Sequence, residues 1–336
     1  MQILHRPLNT GRHPHSAAAR CPDLLARYLA HFPESEAANI DFEDWAENTV
    51  MLTALEDQAR ERGLPFRLLD VGGNVHMSGL TGQVPSSTLG APATVMWGCF
   101  RPSDTISFPE PVDLAWNNRD IARTVARWPL SETFKRHAGR HIEILDMSMD
   151  DIRAAFKRMM DEGHSDGFLK TVEKAWSSKV DLRSDIPVDI AWDIVANEGV
   201  KNALILQGLI TPVCEYRIFV VGDQPVTGAG CIESFTPLDR REDRFDHRVE
   251  ADRNRGAICE HPDLVDSYVD FATQFARDWA IEHGPNTAYT LDLCVDLPTR
   301  RIMPIELNPM LNTGLYASDP TLLATALTVP LRAAAR

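Results

Sequence analysis

None of the six cysteines, Cys21, Cys99, Cys214, Cys231, Cys259 and Cys294, stands in a C-x-x-C pair, so the chain shows neither zinc-knuckle spacing nor a dithiol redox motif. Most sit among apolar neighbours, and buried free thiols in a reducing compartment are expected. No stretch approaches the roughly 18 consecutive apolar residues of a membrane span. The first residues, with Arg6, Arg12, His13, His15 and Arg20, lack an apolar core for export. A cytoplasmic protein with no membrane partner is therefore expected. Positive charge is scarce: 34 Lys and Arg against 48 Asp and Glu leave a formal net charge of -14. That balance works against nonspecific binding to nucleic acid or anionic lipid and favours small-molecule partners. Gly72-Gly73 follows an expected strand, yet neither a G-x-G-x-x-G nor a Walker pattern develops from it. No internal repeat or low-complexity tract stands out.

What the chain does have is enough length, 336 residues, to bury a sizeable core in two or three subdomains. Apolar residues recur at helical spacing over 22–32 and 41–62, and strands are expected over 66–71 and 93–98, an alternation typical of an α/β domain. The sequence turns irregular between Pro102 and Leu130, where a first boundary is placed. A helix is expected over 150–163, with Ile152, Ala155, Phe156, Met159 and Met160 in one stripe. Strands follow over 167–172, 204–210, 213–221 and 226–232, then a charged loop from Leu238 to Arg255, expected to be exposed and mobile, and a long helix over 262–283. His76, Arg101 and Asp104 lie near expected strand ends, as substrate contacts or as ordinary surface residues, and the cluster His5, His13 and His15 reads as a polar terminus.

Near the C-terminus two short strands carry an acid, an acid and an amide. Alternate side chains of a strand share a face, so Thr290, Asp292 and Cys294 oppose Tyr289, Leu291 and Leu293. By the same rule Ile302, Pro304, Glu306 and Asn308 point one way, and Met303, Ile305 and Leu307 point into a core. If the strands pair, Asp292, Glu306 and Asn308 converge. Hard cations such as Mg²⁺ take oxygen ligands, commonly carboxylates with substrate phosphates. Two readings stay open on spacing alone: a magnesium nucleotide site, and a hairpin with a polar solvent face. Glu215 and Arg217 share one face of their strand, either as a mutual ion pair or as ligand contacts, the guanidinium suited to phosphate. Lys170, central in a strand, needs an anionic partner or a path to solvent.

In this order the pieces resemble the ATP-grasp superfamily of carboxylate-amine ligases. The resemblance runs from about Lys135 to Asp319, and its most specific element is Asp292 followed by Glu306-Leu-Asn308-Pro and then Gly314-Leu-Tyr. It implies an α/β fold with three parts: an N-terminal α/β domain over 1–130, a small central lobe over 131–210, and a C-terminal antiparallel lobe over 211–336 that carries the metal site. It implies that Asp292, Glu306 and Asn308 hold one or two magnesium ions, with manganese as an alternative. Glu215 would hold the ATP ribose, Arg217 would contact phosphate near the reacting acyl group, and Gln207 and Leu209 would lie at the hinge that receives adenine. Gly208 stands where the usual hinge glutamate would be. The usual glycine-rich phosphate loop is replaced by Thr-Val-Glu-Lys174-Ala-Trp176-Ser-Ser-Lys179, similar to a divergent branch in which Lys174 shares the phosphate role with Lys170. Lys135 is the candidate for a further central-lobe lysine, or else part of an exposed basic turn.

The implied reaction is ATP-dependent activation of a carboxylate as an acyl phosphate, followed by amine attack to give an amide, ADP and phosphate. Arg217 and Lys174 are the candidate catalytic residues, and an amino acid or peptide is the expected substrate class. A kinase on the same scaffold and a non-catalytic nucleotide-binding protein are the alternatives. Oligomeric state is not legible here, and a homodimer is compatible with the chain.

Overall fold

The computed structural model describes residues 2–6, 42–63, 67–70, 81–83, 94–98, 105–107, 124–172, 174, 176–251, 257–310 and 313–328. The helix expected over 22–32, Gly72-Gly73, and the side chains of His5, His13, His15, His76, Arg101 and Asp104 lie outside the described residues. Toward the N-terminus, β1 (Gln2–Arg6) runs parallel to both β2 (Arg67–Asp70) and β4 (Thr94–Gly98), with α1 (Phe42–Glu61) between β1 and β2 in the chain. The short strands β3 (Thr81–Gln83) and β5 (Thr105–Ser107) pair in parallel. Parallel neighbours, with a helix in the connection from β1 to β2, are the α/β arrangement the alternation predicts.

Residues 131–139 form a helix, α2 (Glu132–Ala138), in place of the basic turn weighed for Lys135-Arg136-His137. Local signals account for it: the Ser131 hydroxyl accepts from Phe134 N at 3.2 Å, and Gly139, at φ 58°, ends the helix in the left-handed conformation. Beyond it, β6 (Ile142–Leu145), β7 (Asp166–Thr171), β8 (Ser177–Asp181) and β9 (Leu204–Gly208) form an antiparallel sheet in the order β6-β9-β7-β8. One face is covered by α3 (Met149–Asp161) and α4 (Val188–Ala196), whose Ile152, Phe156, Met159, Ile190 and Ile194 pack on Leu169 and Leu206. Ser148 caps α3 and Asp150 and Asp151 occupy its first turn, where acids complement the helix dipole.

The second antiparallel sheet has the order β11-β10-β14-β15, from β10 (Pro212–Val221), β11 (Gln224–Gly230), β14 (Ala288–Asp296) and β15 (Arg301–Pro309). The helix α5 (Pro262–His283) lays Val265, Tyr268, Ala272, Phe275, Ala276 and Trp279 on the face made by Tyr216, Ile218, Val220, Leu291, Leu293 and Leu307. All six of those helix side chains are fully buried. Polar residues of β10, β14 and β15 are thereby left on the opposite face, toward β7. The last described helix, α6 (Pro320–Thr328), packs beside α1, and Arg62 donates to Thr325 O at 3.5 Å.

The charged segment keeps its expected exposure over 240–244, but over 238–251 it is built into the fold, and 252–255 lie outside the described residues. Pro237–Asp239 make a 3-10 turn, and β12 (Arg248–Glu250) pairs antiparallel with β13 (Ile258–Glu260). Between the 3-10 turn and β12 the chain crosses β11, where Phe245 bridges Gly228. A Cβ on Gly228 would stand 2.7 Å from Arg217 O, and one on Gly230 would stand 2.4 Å from Arg248 O, so these glycines permit the approach. Asp246 is buried and receives the Arg248 guanidinium through both oxygens, at 2.8 and 2.5 Å. The segment is ordered by charge pairing and backbone contact, neither of which produces an apolar period. No helix among the described residues is long and apolar enough to cross a membrane.

Candidate functional site

Register decides which side chains meet. Asp292 of β14 lies directly opposite Arg217 of β10 on one side and Glu306 of β15 on the other, and Thr290 lies opposite Asn308. Cross-strand partners share a face, so Arg217, Asp292, Glu306 and Asn308 form one polar group on the surface away from α5.

The alternation read along β15 holds only for its second half. The register shifts so that Leu293 faces Pro304 while Asp292 faces Glu306, leaving Ile305 as the extra residue of a bulge. Before the bulge the faces are exchanged. Ile302, expected beside Glu306, packs with Val295 against the core under α5, and Met303, expected in that core, lies opposite Cys294 on the other face. A second shift puts Cys214 and Glu215 against Cys294, with Cys214 at φ 53°.

The carbonyls exposed by the β15 bulge are not left unpaired. Arg140, which follows the left-handed Gly139, donates through Nη1 to Pro304 O at 2.7 Å and through Nη2 to Ile305 O at 3.1 Å. Its Nη2 also donates to Gln207 Oε1 on β9 at 3.2 Å, so one guanidinium ties the two sheets together. Burial pushes its pKa down to about 10, against the pull of Cys294 and Asp296, which leaves it charged at neutral pH.

At the centre, the Arg217 guanidinium forks onto Asp292, Nε to Oδ1 at 2.7 Å and Nη2 to Oδ2 at 2.8 Å. Burial disfavours its charge, but Asp292 outweighs that and raises the Arg217 pKa further. The Asn308 amide donates to Asp292 Oδ2 at 2.9 Å. Glu306 accepts from Lys170 at Oε2 and from Lys174 at Oε1, both at 2.6 Å, and Lys174 also donates to Asn308 Oδ1 at 2.5 Å. Burial raises the Glu306 pKa, yet the two ammonium groups more than offset it and hold the carboxyl far below the ordinary carboxylate range. Lys170 comes from β7, is itself buried, and lies 5.3 Å from the centre of the Trp128 ring.

Lys170, Lys174, Arg217, Asp292, Glu306 and Asn308 are thus brought into one bonded network. The remaining candidates are placed around it. Gln207 is buried with its Oε1 on Arg140, Leu209 is exposed just past the end of β9, and Glu215 sits at the β10 bulge on the polar side. Lys135 bonds Glu132 on its own helix at 3.1 Å, and Lys179 on β8 pairs with Asp166 at 3.2 Å. Among the described residues no three His, Cys, Asp or Glu side chains are grouped to hold a metal. The oxygen set here instead comprises two carboxylates and an amide. Two of these oxygens, Glu306 Oε1 and Asn308 Oδ1, converge on one positive group, the Lys174 ammonium, as the oxygen ligands of a hard cation would, whereas both oxygens of Asp292 receive the Arg217 guanidinium.

Three further residues join this site, none of which the sequence assigns a role. Arg140 is one, and Tyr316, whose ring stacks under the Arg217 guanidinium at 5.0 Å, is another. The third is Glu47 of α1, whose Oε1 accepts from Leu315 N and Tyr316 N, each at 2.8 Å. Only Tyr316 carried a signal, through its place in the Gly314-Leu-Tyr run.

No protein-family model matches the chain, and no curated protein sequence does. Solved structures do match it. The D-alanine–D-alanine ligase of Bacillus anthracis, solved with ATP, superposes at a TM-score of 0.52 with 9% identity, covering 100% of this chain and 98% of that one. D-alanyl-alanine synthetase A of Vibrio cholerae gives a TM-score of 0.51 with 10% identity over 99% of each chain. The D-cycloserine synthetase DcsG gives 0.51 with 10% identity, over 98% of this chain and 100% of that one. At these identities the likeness establishes the fold: the chain has the ATP-grasp fold.

Proposed function

We propose that this ATP-grasp chain is an ATP- and magnesium-dependent ligase that activates a carboxylate as an acyl phosphate and joins it to an amine, releasing ADP and phosphate. The observation that carries the reading is the convergence of Lys170 of β7 and Lys174 of the β7–β8 connection onto Glu306 and Asn308 of the other sheet. Phosphoryl transfer to a carboxylate brings anions together, so the site must supply fixed positive charge and alignment at the junction where both substrates meet.

In this reading Asp292, Glu306 and Asn308 hold magnesium, or manganese in its place, and the ion would screen the phosphate charge. Lys170 and Lys174 turn their ammonium groups to phosphate oxygens, and Arg217 holds the acyl side of the transferring group. Glu215 takes the ribose. Gln207 lies at the adenine end with Leu209; its Oε1 is committed to Arg140, which leaves the amide NH₂ to donate. Lys135, half-buried on α2 and bonded to Glu132, stands apart from the rest of the set. The segment 131–210 and the segment 211–336 act as the two lobes that close on the nucleotide, while 1–130 contributes to the substrate side, for which amino acids and short peptides are the first class to try.

The test is a pairwise screen of amino acids and short peptides for ADP release, with mass spectrometry of the products. Ligation requires that ADP release depend on both an acid and an amine and that an amide mass appear. A phosphorylated product formed without amine identifies a kinase, and nucleotide binding without substrate-dependent ADP release identifies a binding protein. Within the active pair, Glu306→Gln is expected to lower kcat at least about a hundredfold, because the interaction it removes stabilises the transferring phosphoryl group.

A further inference from the structure

Glu47 lies on α1, far in sequence from every residue of the phosphate site, yet it touches the loop that clasps Arg217. Its Oε1 accepts from two successive backbone amides, Leu315 N and Tyr316 N. On the opposite side of the same loop, Gly314 O accepts from Arg217 Nη1 at 3.0 Å, and the Tyr316 ring lies against the guanidinium. Gly314 is wedged between the two: a Cβ there would stand 3.5 Å from each Glu47 carboxylate oxygen and 3.6 Å from Arg217 Nη1.

The covalent geometry links these contacts. Gly314 O and Leu315 N belong to one peptide group, and in a trans peptide the carbonyl and the N–H point in opposite directions. An acceptor that holds Leu315 N–H on one side therefore fixes Gly314 C=O toward Arg217 on the other. Without it the plane is free to rotate, because glycine at 314 carries no Cβ to resist, and rotation presents an N–H to the guanidinium in place of a carbonyl. The second bond, to Tyr316 N, anchors a residue at φ 49°, a left-handed conformation that a tyrosine does not hold without support.

We infer that Glu47 is a positioning residue for Arg217: it locks the 314–315 peptide plane whose carbonyl, together with the Tyr316 ring, orients the guanidinium at the reacting centre. This rests on the reading that Arg217 serves the phosphoryl transfer. It also assigns α1 a part in the reaction that its distance along the chain conceals. The lock needs an acceptor oxygen at that position rather than a negative charge, which separates it from a general electrostatic role.

The decisive variants are Glu47→Ala, which removes the acceptor but keeps a strong helix former in α1, and Glu47→Gln, which keeps an acceptor oxygen. Hydrogen exchange at the peptide spanning 313–318 reads the lock without any substrate. Glu47→Ala is expected to speed exchange there at least about tenfold with α5 unchanged, and Glu47→Gln to stay near the parent. With magnesium, ATP and the acid and amine pair found by the screen, Glu47→Ala should lose about tenfold or more in kcat with KM for ATP within about threefold, and Glu47→Gln should recover most of it. Should Glu47→Ala not fold, Glu47→Ser, which keeps that helix surface polar, serves the same comparison. The inference is overturned if the 313–318 amides exchange alike in all variants, if kcat is unchanged in Glu47→Ala, or if Glu47→Gln is as impaired as Glu47→Ala. A parent-like rate in Glu306→Gln would instead sink the ligase reading itself, whatever the exchange result.

Discussion

Arg217 and Asp292 face each other across neighbouring strands and are joined by two parallel hydrogen bonds of 2.7 and 2.8 Å. Both side chains are close to nine-tenths removed from solvent, at 11% and 9% exposure. Such a pair is held by geometry: the planar fork matches the carboxylate, while each charge alone would be costly in that environment. Removing one partner strands the other. Arg217→Met is therefore expected to destabilise the fold by about 3–5 kcal/mol, and Arg217→Lys, which keeps the charge but not the fork, by less. Urea denaturation of the two variants checks the ranking. If methionine proves as stable as arginine, the carboxylate has found another partner and the pairing is not what orders these strands.

Glu306 predicts the shape of the acid limb. Its folded-state pKa lies far below the ordinary value because Lys170 and Lys174 outweigh the effect of burial. A depressed carboxyl contributes stability that is fully present above the unfolded-state pKa of about 4.3 and is lost as pH falls from there toward the folded value. The parent should lose stability between about pH 5 and pH 3 more steeply than Glu306→Gln, which has no proton to take up at this position. At pH 7 the variant is the less stable, with two ammonium groups left facing an uncharged amide. The gap should narrow by about 1–2 kcal/mol on acidification, read from denaturation midpoints at fixed ionic strength. A gap that is constant with pH would mean that Glu306 titrates normally in the folded protein.

Strand periodicity made the acid, acid, amide set legible, because Asp292, Glu306 and Asn308 all lie where the β14–β15 register is regular. The same rule failed on Ile302 and Met303, a few residues earlier, because a bulge is a single inserted residue and leaves no trace in a pattern of period two. Residues 238–251 escaped for another reason. Arg244, Asp246 and Arg248 are ordered by hydrogen bonds to the backbone and to each other, and that order has no hydrophobic signature. Glu47 and Arg140 were invisible as site residues, since each is one charged residue among many whose contact depends on how distant segments pack. The helix α2 carries local signals, Ser131 before it and Gly139 after it, but at seven residues it is too short for an apolar stripe to mark it, and the Lys-Arg-His run within it suits a turn as well as a helix.

Arg140 supplies the last test, because it bonds both sheets through one guanidinium. Its three donations go to Pro304 O, Ile305 O and Gln207 Oε1. The first two acceptors exist because the bulge at Ile305 takes carbonyls out of the ladder, and buried carbonyls need partners. Arg140→Met would keep much of the volume while leaving both carbonyls without a donor and releasing Gln207. A loss of about 2–4 kcal/mol is expected, larger than a single surface arginine would give. Lysine at the same position can reach one acceptor but not three, so Arg140→Lys should recover only part of the loss. Hydrogen exchange separates this role from local stability. If the guanidinium couples the sheets, exchange should quicken in β9 and in β15 together, whereas quickening confined to β15 would reduce Arg140 to a patch on the bulge.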